Sequence, residues 1–152
     1  MKPRLQVTID CHDPDVLVPF WASALQYEAE PPPDGFDNWL DYWRSVGVPE
    51  EELAGGGSGV DSIIDPQGLG PRVWFQIVPE DKAVKNRVHL DLAVSGGRGT
   101  PKALRKERIE AKAAELVAAG ATRVKALELD DPDSEYYGLT MTDPEGNEFC
   151  LN

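Results

Sequence analysis

The chain has 152 residues, of which 41% are hydrophobic and 28% charged, and 15 basic residues stand against 27 acidic ones for a net charge of −12. This is the composition of one globular domain with a core of its own, not of a disordered or fibrous chain. The negative field argues against a nucleic-acid partner, and no apolar run approaches the roughly 18–20 residues of a membrane span. Two distant cysteines, Cys11 and Cys150, form neither a zinc knuckle nor a disulfide framework.

Residues 5–11 alternate apolar and polar, as a strand covered on one face does. The first four residues run directly into this pattern with no secretory apolar segment, so a cytoplasmic protein is expected. Asp13 and Pro14 then supply an N-cap and a first-turn proline. Leu17, Phe20, Trp21, Ala24 and Leu25 follow as an amphipathic helical stripe. Residues 27–30 read as a short strand ended by Pro31-Pro32-Pro33. Phe36, Trp39, Leu40, Trp43 and Val46 recur at helical spacing, and Pro49 and the glycine tract 55–59 end that helix, the tract reading as a flexible hinge. A strand over 60–64, a turn at Asp65-Pro66-Gln67-Gly68 and a strand over 72–78 complete the first half.

The order then repeats. Residues 87–94 alternate, and Thr100-Pro101 opens a helix with the same cap-and-proline device as Asp13-Pro14. Ile109, Ala113, Leu116 and Val117 are its buried stripe, and Gly120 is its stop. The basic residues from Lys102 to Arg108 alternate with Glu107 and Glu110, the pattern of a solvated face. Strands over 122–129, 136–142 and 147–151 follow, the last two joined by Asp143-Pro144-Glu145-Gly146. This turn matches Asp65-Pro66-Gln67-Gly68 in place and composition, and an internal duplication accounts for both.

Period-two alternation divides each strand into faces. Leu5, Val7, Ile9, Val73, Phe75, Ile77, Val88, Leu90, Leu92, Phe149 and Leu151 are expected to face the helices. The opposite faces collect Gln6, Thr8, Asp10, Trp74, Gln76, Arg87, His89, Asp91, Glu148 and Cys150. Such a mixture of tryptophan, amides, histidine and thiol suits a ligand-binding concavity better than a merely wet surface. Trp39, Tyr42 and Trp43, ahead of the glycine tract, suit a lid that offers aromatic faces to a ligand.

Several strings carry a family resemblance. They are Asp10-Cys11-His12-Asp13-Pro14 leading to Phe20-Trp21, Gly70-Pro71-Arg72-Val73-Trp74-Phe75-Gln76, Lys85-Asn86-Arg87-Val88-His89-Leu90-Asp91-Leu92, and Asp143-Pro144-Glu145-Gly146-Asn147-Glu148-Phe149-Cys150. In these the chain resembles the vicinal oxygen chelate superfamily, in its glyoxalase-like branch that includes bleomycin-resistance-type proteins. The resemblance implies an α+β fold of two βαβββ modules forming a curved mixed-sheet cup. These would lie within a single domain 1–152, as module 4–79 with an insertion at 31–59 and module 85–152. It also implies a homodimer. Metal-using members draw four ligands from the first and last strands of the modules, usually His, Glu, His and Glu. The matching positions here are Gln6, Gln76, His89 and Cys150, of which only His89 is a family ligand type, with Glu148 one pleat away. Neutral amides are poor ligands for a divalent cation, so no metal and no other cofactor is expected.

The expected function is therefore small-molecule binding without the standard catalytic metal. The ligand would be held by Gln6, Thr8, Asp10, Trp39, Trp43, Trp74, Gln76, Arg87 and Cys150, and the acidic character favours a cationic one. The alternative is a lyase or isomerase acting on a small carbonyl or hydroxylated substrate through His89 with Asp91, Asp10 or Glu148. A third reading makes residues 31–59 a docking segment for a partner chain. No nucleic acid or membrane is an expected partner.

Overall fold

A computed structural model describes residues 3–55, 57–97, 99–129 and 134–152. The chain divides into two units, Met1–Glu80 and Asp81–Asn152. The first holds β1 (Gln6–Cys11), α1 (Pro14–Leu25), β2 (Glu28–Ala29), α2 (Trp39–Ser45), α3 (Glu50–Leu53), β3 (Ser62–Ile64) and β4 (Arg72–Ile77). The second holds β5 (Leu90–Leu92), α4 (Lys102–Ala118), β6 (Thr122–Glu128), β7 (Tyr137–Thr142) and β8 (Glu148–Leu151).

The sheets have one topology. Strand order is β1-β4-β3-β2 in the first unit and β5-β8-β7-β6 in the second. In each, the first strand runs parallel to the last while the other neighbours are antiparallel. Two open, four-stranded mixed sheets with helices between their strands make the fold α+β, two βαβββ modules as the sequence predicts. The turns repeat as well. The Asp65 carboxylate accepts from the N–H groups of Gln67, Leu69 and Gly70, and that of Asp143 from Glu145 and Asn147. Gly68 and Gly146 close the two turns at φ 68° and 89°, a conformation that favours glycine.

Each sheet is covered on one face. In the first unit Leu17, Phe20, Trp21 and Ala24 of α1 are buried with Ile63, Val73 and Phe75. Asp13 caps α1 by accepting from the Asp15 N–H at 3.0 Å, with Pro14 at the first helical position. In the second unit Ile109, Ala113 and Leu116 of α4 are buried with Leu139, Met141, Phe149 and Leu151. Gly120 follows α4 at φ 107°, the left-handed stop.

Other expectations are corrected. Pro101, not Thr100, occupies the cap position of α4 and makes no side-chain cap bond. Thr100 falls one residue too early, and the Glu135 carboxylate instead accepts from the Lys102 N–H. Val117 lies at the margin of the α4 stripe and is half exposed, whereas Arg105, at i−4 from Ile109, takes a buried place in it. Leu5 precedes β1 and Ile77 ends β4, and both are exposed. The insertion carries α3 as a second short helix. The described part of the glycine tract is not a free hinge: the Ser58 N–H and hydroxyl both donate to the Asp15 carboxylate. Gly56 lies outside the described residues.

Candidate functional site

The uncovered face of the first sheet is assembled by register. Gln6, Thr8 and Asp10 on β1 stand opposite Arg72, Trp74 and Gln76 on β4, and Ser62 on β3 stands opposite Trp74 from the other side. The alternation therefore brings together all five residues that the sequence assigned to this face on β1 and β4. At its centre is a network the sequence did not reveal. Arg72 donates from Nε to Glu30 Oε2 at 2.7 Å and from Nη1 to Gln6 Oε1 at 2.9 Å, and its Nη2 lies 2.6 Å from the same Glu30 oxygen. The Ser62 hydroxyl donates to that oxygen too, at 2.6 Å. Burial pushes the Glu30 pKa up, but the hydrogen bonds from Arg72 and Ser62 and the arginine's charge outweigh it, leaving the carboxyl below its ordinary value. Beside this network the Trp74 indole donates from Nε1 to Asp61 Oδ2 at 2.7 Å, which fixes the ring on the sheet. Arg72 was legible as a member of the Trp74–Gln76 face. Glu30 shares the pleat of Glu28, but two strand residues are too few to show it.

The second sheet's uncovered face is smaller. β5 pairs with β8 over only three positions, with Asp91 opposite Cys150, and Cys150 stands opposite Thr140 on β7. The Thr140 hydroxyl and Cys150 thiol are 3.7 Å apart. The strand expected over 87–94 is thus confined to residues 90–92. Arg87 and His89 lie ahead of it, exposed, and Val88, expected in the core, is 78% exposed. In the parallel register Leu90 stands opposite Phe149, so residues 87 and 88 fall opposite the turn before β8, and the Asn86 N–H donates instead to Glu148 Oε2 at 3.0 Å. Lys82 reaches the same oxygen at 3.0 Å. The Asn86 N–H lowers the Glu148 carboxyl most; burial pushes back, and Lys82 and the residue's own N–H add to the lowering, leaving it at about 2. That suits a permanent anion rather than a group exchanging protons near neutrality.

His89 contacts Lys85 through Nε2. An ammonium has only protons to give, so the imidazole nitrogen is the acceptor and its lone pair is engaged. In the inserted segment, Trp39 donates to the Glu30 carbonyl at 2.7 Å and Trp43 to the Gly59 carbonyl at 3.2 Å. The two indoles stack at 5.2 Å between ring centroids, with Tyr42 against both. These rings pack within the first unit, and Trp39 is buried.

The positions that the resemblance marks for metal do not fit one. Gln6 offers its amide oxygen to Arg72, Gln76 is a second amide, His89 is engaged by Lys85, and Cys150 faces Thr140. Among the described residues no three His, Cys, Asp or Glu side chains are grouped so as to hold a metal ion. Among them, too, no helix is long and apolar enough to cross a membrane.

Comparison with solved structures places this fold among known ones. A glyoxalase/bleomycin resistance protein/dioxygenase family enzyme from Burkholderia phytofirmans superposes with TM-score 0.57 at 17% identity, covering 97% of this chain and 94% of that one. A member of the same superfamily from Sphaerobacter thermophilus gives 0.53 at 18%, covering 99% and 96%. The fosfomycin resistance protein FosX of Listeria monocytogenes gives 0.58 at 9%, covering 99% and 92%. No curated protein matches the sequence. The family model described as the glyoxalase-like domain matches residues 6–152. With nearly the whole chain matched and both sheets in that family's arrangement, this protein belongs to the glyoxalase-like domain family.

Proposed function

We propose that this chain is a small-molecule-binding protein of the glyoxalase-like family that works without the family's catalytic metal. The observation that carries this reading is the preset polar surface around Trp74. Arg72, Glu30, Gln6 and Ser62 are mutually hydrogen-bonded, and the indole is fixed by Asp61. Groups locked before a ligand arrives lose little entropy when it binds. The ligand would lie over Trp74, flanked by Thr8 and contacting Gln6, Asp10 and Gln76 of the same face. Asp10, Asp61 and Glu30 outnumber Arg72 there, and an aromatic face beside carboxylates suits an organic cation. A homodimer in the cytoplasm is the setting this reading expects.

A thermal-shift screen of small organic cations tests it. A compound present at 100 times its dissociation constant adds about 2.7 kcal/mol of stability. The shift should vanish in Trp74→Ala and persist in His89→Ala. A lyase or isomerase acting through His89 and Asp91 would behave otherwise, with turnover lost in His89→Ala while ligand binding remains. Ligand shifts unaffected by Trp74→Ala would refute the proposed site.

A further inference from the structure

The five basic side chains of α4 fall into two groups. Lys102 and Lys106 pair with Glu128, and Lys112 with Glu115. Arg105 and Arg108 pair with no carboxylate among the described residues. Both turn instead toward the segment before the helix. Arg105 donates from Nη1 to Ser95 Oγ at 2.8 Å and from Nη2 to the Gly97 carbonyl at 2.6 Å, and Arg108 from Nη1 to the Ser95 carbonyl at 3.0 Å. Arg105 is only 6% exposed, and its Nε is the one buried side-chain nitrogen or oxygen without a hydrogen-bond partner among the described residues.

A guanidinium does not escape burial by losing its proton, so its charge must be met from outside the helix. Neutral acceptors meet it only in part, and a second guanidinium one turn along adds repulsion. Acids are abundant in this chain, yet among the described residues none pairs with either guanidinium; Glu135 is spent on the Lys102 N–H, and the Ser95 N–H donates to the Asn152 backbone oxygen at 3.0 Å. The backbone between the two arginines is also shaped for close approach. Gly96 and Gly97 have φ of 93° and 96°, a Cβ on Gly96 would run into the Arg108 guanidinium and the Thr100 hydroxyl, and a Cβ on Gly97 would meet nothing within 4 Å. The N-terminus of α4 is not itself the seat, since Glu135 already accepts from the Lys102 N–H.

We propose that Ser95, Gly96, Gly97 and Thr100, together with Arg105 and Arg108, form a binding site for a tetrahedral oxyanion, either phosphate or the phosphoryl group of a small molecule. The exposed Arg108 contacts the anion, and the largely buried Thr100 hydroxyl lies behind it against Gly96. Arg105 holds Ser95 and Gly97 in place and contributes its charge from beneath. The site lies wholly within the second unit and uses none of the residues around Trp74.

Titration of inorganic phosphate into the full-length protein at constant ionic strength, followed by calorimetry, tests this. Saturable binding is expected, weakened about tenfold or more in Arg108→Gln, whose exposed side chain can change without disturbing the core. Lys106→Gln should leave it intact, and acetate should not compete. Competition by glycerol phosphate would identify a phosphoryl group as the natural ligand, and its failure would identify the free ion. Absence of saturable phosphate binding, undiminished binding by Arg108→Gln, or equal competition by acetate would each overturn the proposal.

Discussion

Two carboxylates, Glu30 and Glu148, organise the uncovered faces of the two sheets, each by collecting donors from other elements. Both have folded-state pKa values below the ordinary value of 4.5, Glu148 at about 2. A depressed carboxyl contributes stability that is present above its unfolded pKa and disappears as pH falls through the folded one. Glu148→Gln should therefore be less stable than the unaltered protein at pH 7, with the gap closing between about 4.5 and about 2. Urea midpoints measured across that range check it; a gap that does not change with pH would contradict the assigned cause. Residue by residue, the sequence exposes what alternation governs, and Gln6, Thr8, Asp10, Trp74 and Gln76 were all placed on their face from it. Glu30, Lys82 and Asn86 were not legible, because their partners lie far along the chain: Arg72 is 42 residues from Glu30, and Asn86 is 62 from Glu148. Arg105 was hidden differently, as a charged residue occupying a position in an apolar stripe.

At the scale of elements, α1, the stop of α4 and the turns followed the sequence closely, whereas the α4 cap, the extra helix α3 and the short strands did not. Asp13-Pro14, the α1 stripe, Gly120 and both aspartate turns rest on local chemistry, which a sequence displays. β5 depends on how much of β8 it can reach, and three paired positions leave Arg87 and His89 outside the sheet. The glycine tract misled for a related reason, since composition records freedom of the backbone and not what fastens it. Ser58 bonds to Asp15 on α1, and Gly57 sits at φ 57° where a Cβ would fall inside that carboxylate. Gly57→Ala should therefore cost about 1–2 kcal/mol from the left-handed conformation alone, with the Asp15–Ser58 contact displaced as well. Chemical denaturation would measure it, and a loss well below 1 kcal/mol would mean that the tract relaxes freely.

Across the whole molecule, the same topology and the same aspartate turn occur twice, and this duplication was the most legible property of the sequence. The antiparallel pairs β3–β4 and β7–β8 are joined by the Asp65 and Asp143 turns. The parallel pairs β1–β4 and β5–β8 instead join the first strand of a unit to its last, so that Gln6 and Arg72 bond across 66 residues. In kinetic terms, the hairpins close over short loops, whereas the parallel pair must bring together the ends of an entire unit before gaining anything. The first strands should dock last. Stopped-flow folding of Asp143→Ala and Val7→Ala would test the order: the turn substitution should slow folding, and the β1 substitution should mainly speed unfolding. Such a sequence of events leaves β4 and β8 each with one unpaired edge until the first strand arrives, and during that interval the half-built sheets could pair with another chain.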